Sequence, residues 1–287
     1  MSEINITSKQ NISYGDKLNC TITNMLGSNE LSSTSKLAKI IFENEDLPKD
    51  DKDAISYTLL KERKHFENFK SVSGKARNIV SDNEVVTDEP VNDDWLNRFN
   101  KIVEDVSDET MQNLWAQILA GEVKHPNSFS LRTLDVLRNM TRSDAQLFID
   151  ALKYLCFGEY ILTGSEYGLP LMNVISLIEI GLMTPDELTH TRSIPIGNCV
   201  APVNNRYLYS IENTNEQVIK VDFQVRRLTR AGVELLSLID NKDYFETYDF
   251  IGKKFKSAGI LKVELHKILI MDSNNKVTYS RNIEKTY

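Results

Sequence analysis

The hydrophobic period of this chain changes partway along it. Between Asn92 and Leu155 apolar residues recur at helical spacing in four short runs, whereas from Tyr207 onward they alternate in twos. A chain patterned this way cannot close as one uniform bundle or one sandwich. The expected class is α+β, mostly helical, with a helical bundle followed by a small, mostly antiparallel, winged-helix-like C-terminal part.

The helical runs carry their own start signals. Asn92 can cap a helix with Asp93 and Asp94 in its first turn and Trp95, Phe99, Ile102, Val103 and Val106 on one face. Ser107 is the next expected cap, before the stripe Met111, Leu114, Trp115, Ile118 and Leu119. Ser128 is expected to open a third helix, and Thr141 with Asp144 forms a capping box for a fourth. Residues 91–157 therefore read as a compact bundle.

Residues 1–34 are polar, with no sustained apolar period, and read as a flexible tail. Residues 35–90 hold N-terminal helices and an acidic linker. A short helix is expected over Lys36 to Asn44, then a longer one from Asp51 to Ser81. In the longer helix Ile55, Leu59, Phe66, Phe69, Ala76 and Val80 approach a coiled-coil seam.

Residues 158–287 form the α+β part. Met172 to Leu182 predicts a buried helix ending at Gly181, and Thr184-Pro185-Asp186-Glu187 predicts a helical turn. Tyr207–Ile211 and Ile219–Val225 alternate cleanly, and the polar Glu212–Glu216 connection suggests a hairpin. Helices follow from Thr229 to Asp240 and from Tyr244 to Ser257. A frame slip near His266 or Lys267 suggests a bulge, and Asn274-Asn275 a turn into a last strand.

The chain has 287 residues, 41% hydrophobic and 26% charged, with a net charge of -7. That acidity disfavours a protein that coats nucleic acid or an anionic membrane. Cys20, Cys156 and Cys199 are far apart and read as reduced thiols of a cytoplasmic protein. The start lacks a signal peptide's apolar core, and no apolar run is long enough to span a membrane.

The motifs of common catalysts are missing. There is no phosphate loop, dinucleotide fingerprint, HExxH or GxSxG, and no histidine has a metal-ligand neighbour at working spacing. No cofactor or metal is expected, and the chain leans away from an enzyme. Glu122 with Lys124, or Glu264 with Lys267, is the nearest approach to a metal-dependent nuclease or hydrolase site. Arg226, Arg227 and Arg230 could contact phosphate beside the hairpin, and Lys253, Lys254 and Lys256 form a second basic cluster.

The segment Asp94-Trp95-Leu96-Asn97-Arg98-Phe99, followed by Leu114-Trp115-Ala116-Gln117-Ile118-Leu119-Ala120-Gly121-Glu122, Pro126, Ser128-Phe129-Ser130 and Arg132-Thr133-Leu134, resembles an uncharacterised bacterial family carrying a domain of unknown function. The resemblance spans about Lys61 to Ile239. Upstream, Glu62 to Asn68 is a degraded match to a helix in which that family has glutamine. It implies a cytoplasmic bacterial or phage-related protein and no reaction. The Leu-Trp-Ala helix is also similar, more loosely, to alpha-type abortive-infection proteins, which implies an anti-phage or stress setting.

Within the signature, Trp95 and Trp115 are expected as core anchors. Glu122, His125 and Arg132 flank one loop as candidate partner or ligand contacts, with Glu122 and Arg132 expected to pair across it. The reading that follows is a non-catalytic cytoplasmic interaction or sensor protein, with a protein partner or a second copy of itself and no membrane. The alternatives are a DNA-binding regulator using the C-terminal part and a metal-dependent hydrolase or nuclease whose site is dispersed in sequence.

Overall fold

The computed structural model describes residues 11–26, 48–81, 84–164, 166–204, 206–239, 243–271 and 277–287. It forms two compact units, Met1–Arg138 and Asn139–Tyr287. The first is mainly helical and the second combines helices with antiparallel sheets, but the boundary falls at 138/139 and not at 157/158, so the fourth helix expected in the bundle belongs to the second unit.

The first unit contains β1 (Asn11–Ser13), α1 (Tyr14–Leu26), α2 (Lys49–Ile79), β2 (Val85–Thr87), α3 (Asp93–Val103), α4 (Glu109–Lys124) and α5 (Leu131–Arg138). Residues 11–26, expected as part of a tail, are instead ordered. Tyr14, Leu18 and Ile22 lie one turn apart on α1 and are buried. The expected linker holds β2, whose Val86 pairs with Ile12 of β1. The helix expected over Lys36 to Asn44 lies outside the described residues.

Caps set the helix starts, with two corrections. Asn92 accepts from the Trp95 amide as expected, but Asp108 rather than Ser107 caps α4, accepting from Met111 N at 2.9 Å. At α5, Ser130 receives the Thr133 amide, while the Ser128 hydroxyl turns back to the His125 carbonyl. Both corrections have one cause. Neighbouring residues with equivalent cap chemistry compete, and the register of the buried stripe decides between them.

Helix α2 packs on α4 through its C-terminal half, where Phe69, Val72 and Ala76 are buried. Polar locks fix the register. Asn68 Nδ2 donates to Glu104 O at 2.7 Å, and Ser71 Oγ donates to Gln112 Oε1 at 2.7 Å. Of the expected seam, Phe69 and Ala76 are buried and Ile55, Leu59, Phe66 and Val80 are half-buried, while Tyr57 and Leu60, off the seam, are exposed.

The second unit contains α6 (Arg142–Ala151), a 3-10 turn (Leu152–Tyr154), β3 (Leu155–Cys156), β4 (Tyr160–Leu162), α7 (Leu171–Ile180), β5 (Leu188–Ile194), β6 (Gly197–Pro202), β7 (Tyr207–Asn213), β8 (Ile219–Arg227), α8 (Arg230–Leu236), α9 (Phe245–Ser257), β9 (Lys262–Met271) and β10 (Val277–Thr286). The Thr141–Asp144 capping box opens α6 as predicted. Helix α7 ends at Gly181, whose φ of 91° suits a residue without Cβ.

The strands build two four-stranded antiparallel sheets, ordered β3-β4-β8-β5 and β10-β9-β7-β6. Tyr209, Ile211, Val221, Phe223, Val263 and Leu265 from both sheets meet Ile251 and Phe255 of α9 in one core. The expected hairpin is therefore corrected: β7 and β8 belong to different sheets. Their connection crosses between the sheets beside the Pro195-Ile196 crossover. The buried Asn213 ties the two together, its Nδ2 lying 3.2 Å from Ile194 O, Pro195 O and Gln217 O.

Three further readings meet the structure here. No helical turn forms at Thr184-Pro185-Asp186-Glu187, which leads into β5 instead; Thr184 N and Thr163 Oγ1 engage Arg227 O and Glu187. The irregularity near His266 falls on β10, where pairing skips from Tyr279↔Ile268 to Ile283↔His266. The Asn274-Asn275 turn lies outside the described residues, and the last strand forms.

Candidate functional site

The loop between α4 and α5 gathers several polar contacts. Glu122, in the last turn of α4, is 1% exposed. Its Oε1 accepts from Asn127 N at 2.7 Å and its Oε2 from Phe129 N at 2.9 Å. A carboxylate using both oxygens on backbone amides acts as a clamp on the loop. Asn127 sits at a φ of 70°, a left-handed conformation that asparagine tolerates.

Trp95 completes the arrangement from α3. Its indole Nε1 donates to Phe129 O at 2.8 Å, so both backbone groups of Phe129 are held while its side chain is buried. Trp95 stacks on Phe99 at 5.1 Å, and Phe99 meets the edge of Trp115 at 5.6 Å. Trp95, Phe99 and Trp115 therefore form one aromatic column, and its Trp95 end reaches the loop. Arg98 donates to both Asp135 oxygens at 2.9 Å, linking α3 to α5.

The expected Glu122–Arg132 ion pair is not formed among the described residues. Arg132 is exposed on α5, while the loop amides, only five and seven residues beyond Glu122, engage its carboxylate. The His125 side chain is exposed; its backbone carbonyl receives the Ser128 hydroxyl at 2.6 Å. Geometry thus brings Glu122 and Trp95 to the loop and leaves His125 and Arg132 at its surface.

On α1, the Lys17 side chain is buried, and burial lowers its pKa while Glu89, Asp88 and Glu122 oppose that shift. Beside it the Tyr14 hydroxyl donates to Ala120 O, and its pKa is pushed up to about 12 by burial and by Glu84.

The three candidate phosphate-contacting arginines sit close in the second unit, each with an internal partner. Arg226 donates to Pro185 O, Arg227 pairs with Glu159 at 2.8 Å and Arg230 with Glu234 at 2.6 Å. Glu264 pairs with Lys262 at 3.0 Å, and Glu122 belongs to the other unit. Among the described residues no group of three or more His, Cys, Asp or Glu could hold a metal ion. Burial pushes the Cys156 thiol well up, away from the thiolate a nucleophile needs.

A cavity of about 150 Å³ opens between β4, β8 and α9. Phe223 and Phe250 are among its walls, and Lys254 Nζ lies 5.2 Å and 5.7 Å from their ring centres. Tyr167 stacks on Phe250 at 5.1 Å and shares a hydrogen bond with Thr247. Glu166 lines the same cavity. Sequence reasoning placed Lys254 in a basic cluster but missed the cavity, because its rings come from a strand and a helix far apart in the chain.

Residues 54–160 match the model of a family described as a protein of unknown function, DUF2806. The match runs from α2 through the aromatic column and the Glu122 loop to the start of β4 and covers less than half of the chain. It supports the resemblance as one to a domain of unknown function. No curated protein and no solved structure matches the chain. Among the described residues no helix is long and apolar enough to cross a membrane.

Proposed function

We propose that this chain is a non-catalytic interaction or sensor protein that self-associates through α7. One observation carries the reading. Seven of the ten residues of α7 are apolar, yet only Val174 and Leu177 are buried, while Leu171 and Met172 are 68% and 70% exposed and Ile175 is 39% exposed. A contiguous exposed apolar stripe marks an interaction surface. Glu179, exposed one turn beyond Ile175, is its only ionisable residue, so an antiparallel pairing of two copies keeps the two carboxylates at opposite ends of the stripe. A membrane is the poorer occupant, since α7 has no lysine or arginine to meet lipid headgroups.

Size exclusion with light scattering tests this. The wild type is expected to dimerise in the micromolar range and Met172→Glu to be monomeric at the same concentration. A strict wild-type monomer at high micromolar concentration refutes the self-association. The setting we propose is the bacterial cytoplasm, in phage defence or a stress response, supported by the resemblance to abortive-infection proteins. Plaque counts on cells with and without the protein test it, and equal counts speak against it.

A further inference from the structure

From the cavity of the second unit we infer a binding site for a small zwitterion of the α-amino acid class. This goes beyond the self-association reading and uses a different surface. Three observations combine. The cavity has aromatic side chains among its walls beside the polar Thr163 and Gln224, it carries one charge of each sign, and neither charge has an ion-pair partner among the described residues.

Lys254 is the cationic end. Its neighbours in the basic cluster are already engaged: Lys253 pairs with Asp249 at 2.6 Å, and Lys256 donates to Leu261 O at 2.5 Å. Lys254 instead rests over two aromatic faces, which attract an ammonium but leave its hydrogens free for an anion. Glu166 is the anionic end. It sits on the turn after β4, where Gly168 packs so tightly on the Thr163 backbone that a Cβ would fall 2.8 Å from it. That close approach fixes Gly168 against the Thr163 backbone, and Thr163 lines the cavity.

A ligand that satisfies both ends needs a carboxylate for Lys254, an ammonium for Glu166 and an apolar body against the half-buried rings of Tyr167 and Phe250. At about 150 Å³ the space suits a molecule of leucine's size and falls well short of the usual volume for a nucleotide or a larger ligand. Discrimination follows from leaving a polar partner unmatched: an analogue lacking one charge leaves Lys254 or Glu166 unanswered.

Isothermal titration of the intact protein with leucine, isocaproate and isoamylamine separates the contributions. The last two are leucine without its amine and without its carboxylate. Leucine is expected to bind saturably, and each half-ligand at least about tenfold more weakly. Lys254→Gln should weaken leucine at least about tenfold, and Glu166→Gln should bring it down to the level of isocaproate, both with unchanged melting temperatures. Glu166 is exposed, so its variant folds independently of what Lys254 contributes to packing. The inference is overturned by absence of saturable leucine binding to folded protein, by isocaproate binding as tightly as leucine, or by wild-type affinity in Lys254→Gln. The variants tie the titration to this cavity, and its failure leaves the oligomeric state of the protein to its own test.

Discussion

Replacing Glu122 by alanine tests what the signature loop is for. The side chain is 1% exposed and accepts two backbone hydrogen bonds, at 2.7 Å from Asn127 and 2.9 Å from Phe129. A hydrogen bond to a charged group contributes about 1.5–3 kcal/mol, so losing both costs about 3–6 kcal/mol. Water entering the vacated space would recover part of this at Asn127, which is exposed, and little at the buried Phe129 amide. We therefore expect about 3–4 kcal/mol, or a fall of about 10 °C in the melting of the helical unit, read by circular dichroism. Glu122→Gln keeps one acceptor but turns an NH2 toward the other amide, so it should lose about 2 kcal/mol. Arg132→Ala is the control: an exposed residue without a share in the clamp should stay within about 0.5 kcal/mol of wild type. A Glu122→Ala protein melting within about 2 °C of wild type, or an Arg132→Ala protein melting as low as Glu122→Ala, refutes the clamp.

Trp95→Phe removes the indole donor to Phe129 O while keeping a ring on Phe99, so urea unfolding should show a loss of about 1–2 kcal/mol. A Cβ at Gly252 would run into the ring of Tyr287, so Gly252→Ala should destabilise the second unit by about 1–3 kcal/mol. Deleting Tyr287 in the same protein should remove most of the added cost; additive effects would show that the two do not meet. Tyr14 and Tyr207 have pKa values raised to about 12, by burial first, with Glu84 and Asp243 next in each case. A free phenol ionises near 10, so the unfolded chain releases those protons first. The stability they contribute is complete below about pH 10 and is lost as pH rises through about 12. Tyr14→Phe should flatten that loss in an alkaline series of urea melts.

Local signals carried most of the helices. Asn92, the Thr141–Asp144 box, Gly181 and Gly259 stand where the chain needs an amide acceptor or a left-handed turn, and these needs are written in single residues. Helix α1 was legible too, in Tyr14, Leu18 and Ile22, but a stripe of three in a polar stretch is a weak signal beside so many Asn, Ser and Thr. The sheets were less legible for a different reason. In β5 only Ile194 is buried, because the strand runs along an edge, so no apolar alternation marks it. Strands β7 and β8 alternate plainly, but alternation says which face is buried and not which strand is the partner. Their assignment to separate sheets depends on a second crossover, Pro195-Ile196, and on the Asn213 amide that joins the two.

The polar residues of the sites were legible only as types. Glu122 stood out as a carboxylate near a basic residue, which suggested an ion pair with Arg132, but a carboxylate answers a backbone amide as well as a guanidinium. Which one it meets depends on how tightly the loop turns back, and Asn127 at a φ of 70° with Trp95 on the Phe129 carbonyl settles that in the amides' favour. The arginines follow the same logic. Three in a short stretch look like a phosphate-binding patch until Pro185, Glu159 and Glu234 arrive from other segments or the next helical turn. Lys254 is the reverse case. It looked like one member of an ordinary solvated cluster, and the fold set it over two aromatic rings at a cavity while its neighbours took other partners. Charge in a sequence gives the supply of polar groups; the tertiary fold decides which of them remain to meet something else.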